Sequence, residues 1–386
     1  MTAPDVVVLG AGIMGASVAW HLLRRGAGGV LLLDRATGPA AGSTGRATGG
    51  FRAQYGTAIN VRLSLLSREK LGRFREQTGA DPGYASCGYL WLAGTERELD
   101  VLAAARRVQH EAGLGEATAV TVDEILQLNP AIAPEGIIGG AWCPTDGFIR
   151  PRDMLAGYLG AAARMGAQVR WDAEVTGLDV GSNGVSAVRI GAERLPCGAV
   201  VNALGAWAGC IMEGTGFPLP VTPLRRQVAA TIPTNALPTE MPMTIFAGDG
   251  LHLRVRDGRV LLLWPTPGVP GRPFDDAVDP EWVRAVVAKA HARIPRLREV
   301  PVDAGACWGG LYEMSPDRHA ILGAVPGLSN LYLVNGSSGH GVMHAPALGQ
   351  LLAEIICDTR ASTLDVHRLR PARFAEADLN PVSELL

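Results

Sequence analysis

Asp5-Val-Val-Val-Leu-Gly10-Ala-Gly12-Ile-Met-Gly15, followed by Val30-Leu-Leu-Leu-Asp34, decides the fold of this chain. It reads as a strand, a glycine turn, a helix and a second strand ending in an acid. A dinucleotide needs that order of parts. Gly10 permits the tight turn, Gly12 lets backbone approach a pyrophosphate, and Gly15 lets the helix lie close to the strand. The start of the helix offers unpaired N–H groups and the positive end of a dipole. Asp34 can accept hydrogen bonds from ribose hydroxyls and would repel a 2′-phosphate. The motif alone does not separate NAD from other dinucleotides.

Outward from this unit, the 386 residues exceed one ordinary domain, and 47% hydrophobic content is that of a globular protein. No apolar run is long enough to span a bilayer. The glycine motif begins at residue 10, which leaves no room for a signal or transit peptide, so a cytoplasmic location is expected. The net charge of −2 and the absence of a Lys/Arg run give no nucleic-acid footprint. The six cysteines are scattered, without a CxxC pair or a zinc-like His/Cys spacing, and are expected as reduced thiols.

Patterning predicts helices over 13–26, 59–78, 95–113, 122–128, 152–165 and 280–294, and strands over 84–93, 168–171, 175–179, 184–190 and 197–203. Several further strands are expected within 220–265. Residues 137–149 carry turn signals, Pro144-Thr-Asp-Gly147. The stretch 36–57 is rich in Gly, Ser, Thr and Ala, as a loop packed closely on a ligand would be. Near the end, Leu331-Tyr-Leu-Val334 leads through Asn335-Gly-Ser-Ser-Gly-His-Gly341 into a helix over 343–357. A glycine nest at a helix start stabilises negative charge, which a reduced flavin carries on its ring.

Three blocks together resemble the D-amino-acid oxidase/sarcosine oxidase superfamily of FAD-dependent amine oxidoreductases. They are Gly10–Asp34, Asn202-Ala-Leu-Gly-Ala-Trp207, and Trp308-Gly-Gly-Leu-Tyr-Glu-Met-Ser-Pro316-Asp317 through Gly339-His340-Gly341. Gly42-Ser43-Thr44-Gly45-Arg46 is similar to the loop of the sarcosine oxidase β-subunit and β-type L-proline dehydrogenase branch.

The resemblance implies an α/β (α+β overall) chain: a Rossmann-like FAD-binding domain (1–83, 148–217, 325–370), a substrate domain on a mixed β-sheet (84–147, 218–324), and a tail (371–386). It implies FAD contacts at Gly10, Gly12, Met14, Gly15, Asp34, Arg35, Ser43, Thr44, Arg46, Val175, Ala203, Gly205 and Trp207. Gly339, His340, Gly341, Val342 and Met343 would cradle the flavin pyrimidine ring. An arginine matching Arg52 holds the substrate carboxylate in monomeric sarcosine oxidases, and a guanidinium fork suits that task. Tyr55 is open between that pocket and the core.

Departures from the pattern sharpen the reading. The lysine making a second carboxylate contact aligns with Met343, and the oxygen-activating lysine aligns near Leu262, which favours dehydrogenase over oxidase. The flavin-attaching cysteine aligns with Gly310 and the flavin-attaching histidine of dimethylglycine-type members with Arg46, so noncovalent FAD is expected. His344 is placed in the first turn of the last helix, open to the substrate pocket. His252 and His319 are open between surface and structural roles, and His21 is read as packing.

The expected reaction is hydride transfer from a secondary or N-alkylated amino acid, such as sarcosine, proline or an opine, to flavin N5, leaving an imine that hydrolyses. Arg52, His344 and Met343 stand as the substrate-site residues, and no base is assigned. Three alternatives stay open: a 2-hydroxy-acid dehydrogenase, a flavin subunit passing electrons to a partner subunit, and a non-catalytic flavin-binding protein.

Overall fold

The computed structural model describes residues 4–181, 184–267 and 272–383. Two sheets organise it. The first has six strands in the order Ile321–Val325, Leu328–Asn335, Ala199–Asn202, Val6–Leu9, Val30–Leu33, Gln168–Arg170. All neighbours are parallel except the outer hairpin Ile321–Val325/Leu328–Asn335. Val6–Leu9 is buried at every position, as a parallel strand covered on both faces must be, which is why it reads as an unbroken apolar run. The helices Ile13–Arg24, Pro151–Arg164 and Gly341–Asp358 cover one face. The first and last of these touch through Gly349, where a Cβ would fall 2.1 Å from Ser17 Oγ. Ser17 Oγ donates to the Ala345 carbonyl at 2.8 Å.

The second sheet has eight strands: Trp308–Met314, Thr222–Ala230, Arg259–Leu263, His252–Arg256, Met243–Phe246, Tyr89–Ala93, Gly139–Cys143 and Thr118–Val120. Its members alternate strictly. Leu90, Leu92, Leu253, Val255, Val260 and Leu262 point to a core closed by Trp282, Val286 and Ala290 of the helix Pro280–Arg293. Tyr89, Trp91, Met243 and Ile245 point the other way, as do Leu261 and Leu263. Cross-strand register puts His252 opposite Leu263 and Ile245, and Arg254 opposite Leu261, so these two belong to that second face.

Three expectations change. The helix expected over 59–78 breaks into Ala58–Gly72 and Phe74–Thr78 at Arg73, whose ψ of 4° leaves the helical region. Gly72 weakens the helix there, and the break lets Phe74 bury its ring against Tyr158 at 4.9 Å. Gly139–Cys143 is a strand paired on both sides, to Tyr89–Ala93 and Thr118–Val120, where the sequence shows only turn signals. Its glycine is required by crowding, since a Cβ on Gly140 would meet the Trp91 carbonyl oxygen at 2.1 Å. The segment from Pro371, expected as a tail, is docked as far as it is described; residues 384–386 lie outside the described residues. Arg373 is fully buried and pairs with Asp317 through two hydrogen bonds of 2.9 and 3.0 Å. Asn380 Nδ2 donates to the same carboxylate at 2.8 Å.

Candidate active site

The glycine turn of residues 10–15 works as its spacing implies. Gly10 has φ of +98°, a conformation that L side chains avoid. A Cβ on Gly15 would lie 1.9 Å from the Gly10 carbonyl oxygen, so only glycine lets the helix seat on the strand. Asp34 closes the turn from the neighbouring strand: its Oδ2 accepts from the Ala11 N–H at 2.8 Å and its Oδ1 from Ala36 N–H at 2.9 Å. Thr44 Oγ1 accepts from the Ile13 N–H at 3.1 Å and satisfies one of the open donors of the first helix.

A cavity of about 510 Å³ runs from this turn to the start of the last helix. Gly10, Gly12, Met14, Asp34, Arg35, Ser43, Thr44, Arg46, Val175, Ala203, Gly205, Trp207, Gly339, Gly341 and Val342 all line it. At one end the Arg35 guanidinium lies 4.1 Å over the Trp207 ring, which stacks on Phe274 at 5.7 Å. Arg46, also on the wall, donates to the Gly309 carbonyl at 3.1 Å and pairs with Asp276. Gly15, His340 and Met343 are not on its wall: Gly15 lies under the turn, and the other two lie beyond the cavity. The cradle of glycine backbone, the acid at the second strand and the length of the cavity fit a dinucleotide carrying a second ring system.

Beyond the Gly339–Gly341 turn lies a second cluster, centred on Arg52. This arginine is only 6% exposed. Its guanidinium sits 4.5 Å over the Tyr55 ring and 5.3 Å over Trp91, and Nη2 is 3.5 Å from His340 Nε2. The segment carrying it is fixed from both sides. Asp146, in the turn Pro144–Gly147, accepts from the Ala53 N–H at 2.6 Å, and Gln54 Nε2 donates to the Tyr89 carbonyl at 3.1 Å. Arg254 and Arg256 reach across from the eight-stranded sheet to the carbonyls of Thr48 and Ala47 at 2.8 and 3.1 Å. Burial pushes the Asp146 carboxyl up to about 6.

The structure brings Met343 and His344 to the same cluster. Tyr55 Oη donates to Met343 Sδ at 3.0 Å, and burial raises that phenol to about 12. Ser64 Oγ donates to the Arg52 carbonyl at 2.7 Å and therefore accepts from His344 Nε2 at 2.9 Å. That commits His344 Nε2 to supporting the Arg52 backbone. Burial, and then the Arg52 charge, lower His344 to about 3 and depress His340 as well, so both rings are neutral near pH 7.

Several residues of this cluster carry no signal in a linear motif. Arg226, on the cofactor-facing side of Thr222–Ala230, lies 5.6 Å from the Tyr312 ring and donates to the Thr266 carbonyl at 2.6 Å. Leu262, aligned with the oxygen-activating lysine, points into the opposite core, so its identity says nothing about charge in the site. Arg226 supplies a cation on the site side two strands from His252. Glu313 also lines the cavity: its Oε1 accepts from the Ser337 N–H at 3.2 Å, while burial pushes the carboxyl up to about 7. Strand alternation through Tyr89, Trp91, His252 and Arg226 would have found this wall once the strands were paired. His319 is structural, donating Nδ1 to the Asp317 carbonyl at 2.6 Å with Nε2 on Thr57 at 2.9 Å.

Among the described residues there is no His/Cys/Asp/Glu group that could hold a metal ion, and no helix is long and apolar enough to cross a membrane.

A family model described as FAD dependent oxidoreductase, DAO, matches residues 5–355. The chain is 28% identical to FAD-dependent oxidoreductase domain-containing protein 1 of Xenopus laevis, over 96% of this chain and 82% of that protein. It is 29% identical to glycine oxidase of Geobacillus kaustophilus, over 91% of this chain and 92% of that one. Among solved structures, L-proline dehydrogenase from P. horikoshii superposes with a TM-score of 0.90 at 28% identity, covering 98% of this chain and 99% of that chain.

Proposed function

The chain belongs to the DAO family of FAD-dependent oxidoreductases, and from that premise we propose that it oxidises the C–N bond of a secondary or N-alkylated amino acid, of the sarcosine, proline or opine kind. Bound FAD supplies the two-electron acceptor for a hydride. The residues at hand divide the work of holding it. Gly10, Gly12 and the first helix take the pyrophosphate, Asp34 the ribose, and Arg35 with Trp207 the outer end. Gly339, Gly341 and Val342 hold the ring with the start of the last helix, whose dipole favours negative charge there. His340 and Met343 complete that turn from the substrate side. The FAD is read as noncovalently bound, since Arg46 and Gly310 offer no nucleophile.

The observation that carries the reading is Arg52. A buried guanidinium on an aromatic floor, one residue contact from the flavin turn through His340, suits a substrate carboxylate. It would hold the substrate while the Cα–H is presented to the cofactor, and the water-poor wall of Tyr55, Tyr89 and Trp91 would protect the reaction. The relatives named for glycine and for L-proline support an amino acid as substrate. The six-stranded and eight-stranded sheets are read as the cores of the FAD and substrate domains. Ile321–Val325 would then belong to the first, which shifts the inner boundary from 324 to near residue 316.

The test is a panel of primary, secondary and N-methylated amino acids and 2-hydroxy acids, scored by anaerobic bleaching of the flavin. Bleaching by secondary amino acids is expected. Bleaching by hydroxy acids alone, or by nothing in the panel, would overturn the amine reading.

A further inference from the structure

The Arg52 cluster explains how a carboxylate is held but leaves an amino acid's ammonium proton without a destination. An ammonium nitrogen has no lone pair, so it cannot form the C=N bond as hydride departs. Asp146, an acid that interacts with Arg52, already has its oxygens accepting from the backbone N–H groups of Ala53 and Gln54.

His252 has the required form. It starts the strand His252–Arg256 on the face that carries Trp91, Ile245 and Leu263. Its Nδ1 lies 2.8 Å from the Gly250 carbonyl oxygen. A carbonyl only accepts, so Nδ1 carries the proton and Nε2 carries the lone pair. Nε2 makes no hydrogen bond among the described residues, and His252 as a whole is half-buried. We infer that His252 Nε2 is the acceptor of the substrate's ammonium proton, the catalytic base of the amine oxidation proposed above, on which this inference rests.

The charges around the ring support the assignment. Arg52 acts on it from the segment after Gly50–Phe51, and Arg226 from Thr222–Ala230. The cross-strand partners Ile245 and Leu263 are apolar, and on its own strand Arg254 is turned to the Thr48 and Gly49 carbonyls. Burial first, then the two arginines, hold the ring neutral, with its pKa lowered to about 4, against the hydrogen bond to Gly250. A substrate carboxylate seated on Arg52 cancels one of those charges and makes the imidazole more basic. The same two guanidinium groups disfavour a neighbouring ammonium. Binding thus narrows the gap between the two groups, and the proton passes from the substrate nitrogen to Nε2 as the neutral amine is consumed, giving imidazolium. The freed lone pair forms the C=N bond as the Cα–H leaves with its electron pair to the oxidised cofactor. The imidazolium returns its proton to water before the next turnover.

The experiment is anaerobic single-turnover flavin reduction from pH 6 to 10 for wild type, His252→Gln and His252→Ala, using sarcosine and L-proline. Glutamine can accept a hydrogen bond but cannot take the proton. Its rate should fall about 10²-fold at pH 7 and return to within a few-fold of wild type as pH approaches the pKa of the free amine. Binding of acetate, read from the flavin spectrum, should not change. An unchanged rate and profile in both variants, or a loss equal at every pH, overturns the base. Wild type alone gives a second reading through a series of N-substituted glycines of differing amine pKa. The acidic limb of its profile should stay fixed across the series, and a limb that tracks the amine pKa overturns the proposal. Wild-type flavin bleached by no amine would instead refute the amine reading itself.

Discussion

Gly310 lies against the side chain of Arg46: a Cβ built on Gly310 would sit 3.3 Å from the Arg46 Cβ, on the wall of the dinucleotide cavity. By resemblance these are the two positions from which relatives attach flavin, one through cysteine and one through histidine. In this chain they meet in space, and neither is a nucleophile. Cys307, the nearest thiol in sequence, packs toward the opposite core and donates to the Asp303 carbonyl at 3.3 Å. Acid precipitation should therefore release all the FAD into the supernatant. Yellow colour retained in the denatured pellet would falsify noncovalent binding.

Arg52→Ala should raise KM for amino-acid substrates by roughly 10²-fold, on the order of 3 kcal/mol, with FAD content unchanged. Arg52→Lys should recover only part of the loss, because an ammonium cannot reproduce the guanidinium fork or its stacking on Tyr55 and Trp91. Steady-state kinetics beside the flavin-to-protein absorbance ratio checks this. Equal KM in wild type and Arg52→Ala would remove Arg52 from the substrate site.

Gly15→Ala separates turn geometry from substrate chemistry. The added methyl would press on the Gly10 carbonyl oxygen at 1.9 Å, so strand and helix must move apart where the pyrophosphate would lie. The variant should purify with at least tenfold weaker FAD binding, measured by flavin fluorescence recovery on dilution. Wild-type affinity would show that the turn tolerates a side chain.

What the sequence made legible follows from how local each signal is. The Gly10–Asp34 unit is readable because one turn, one helix and one acid are specified by adjacent residues. The Gly339–Gly341 turn is readable for the same reason, with its glycine at φ of +93°. The wall proposed around the substrate is not local. Trp91, His252 and Arg226 come from three strands far apart in sequence, and only the pairing register puts them on one face. Leu262 shows the cost of a slip by one residue. Position 262 faces the core while its neighbour Leu263 faces the other side of the sheet, where Arg226 also lies, so the identity of Leu262 does not decide whether that side carries a charge. Glycines hid two strands of the eight-stranded sheet, because Gly140 and Gly309 are there for close approach and not for strand propensity.

The docked C-terminal segment makes a stability prediction. Burial alone would raise the Asp317 carboxyl, but the Arg373 and Asn380 hydrogen bonds outweigh it and hold the group well below the usual carboxylate range. Arg373→Ala leaves that carboxylate buried without its partner and should destabilise the protein by about 3–5 kcal/mol. Urea unfolding at pH 7 measures it. Because the folded-state pKa is depressed, the pair stabilises the fold above the unfolded carboxylate pKa. That contribution is lost only as pH falls through the folded value, so the variant and wild type should converge in strong acid.

Glu313 works with the opposite sign. Its Oε2, the Ser337 Oγ and both amide atoms of Asn335 are buried without a hydrogen-bond partner among the described residues. Burial raises the carboxyl to about 7, above an unfolded value near 4.3. The folded protein thus binds more protons than the unfolded chain between those values, and stability falls as pH rises through the window. Glu313→Gln keeps the shape of the neutral acid and removes the ionisation. On FAD-saturated protein, the two forms should unfold alike at pH 5, and at pH 8 the glutamine variant should be more stable by ~2 kcal/mol, several degrees in Tm. A difference of the same size at both pH values would mean that Glu313 does not titrate between them, and that its carboxyl is ionised in the fold from the outset.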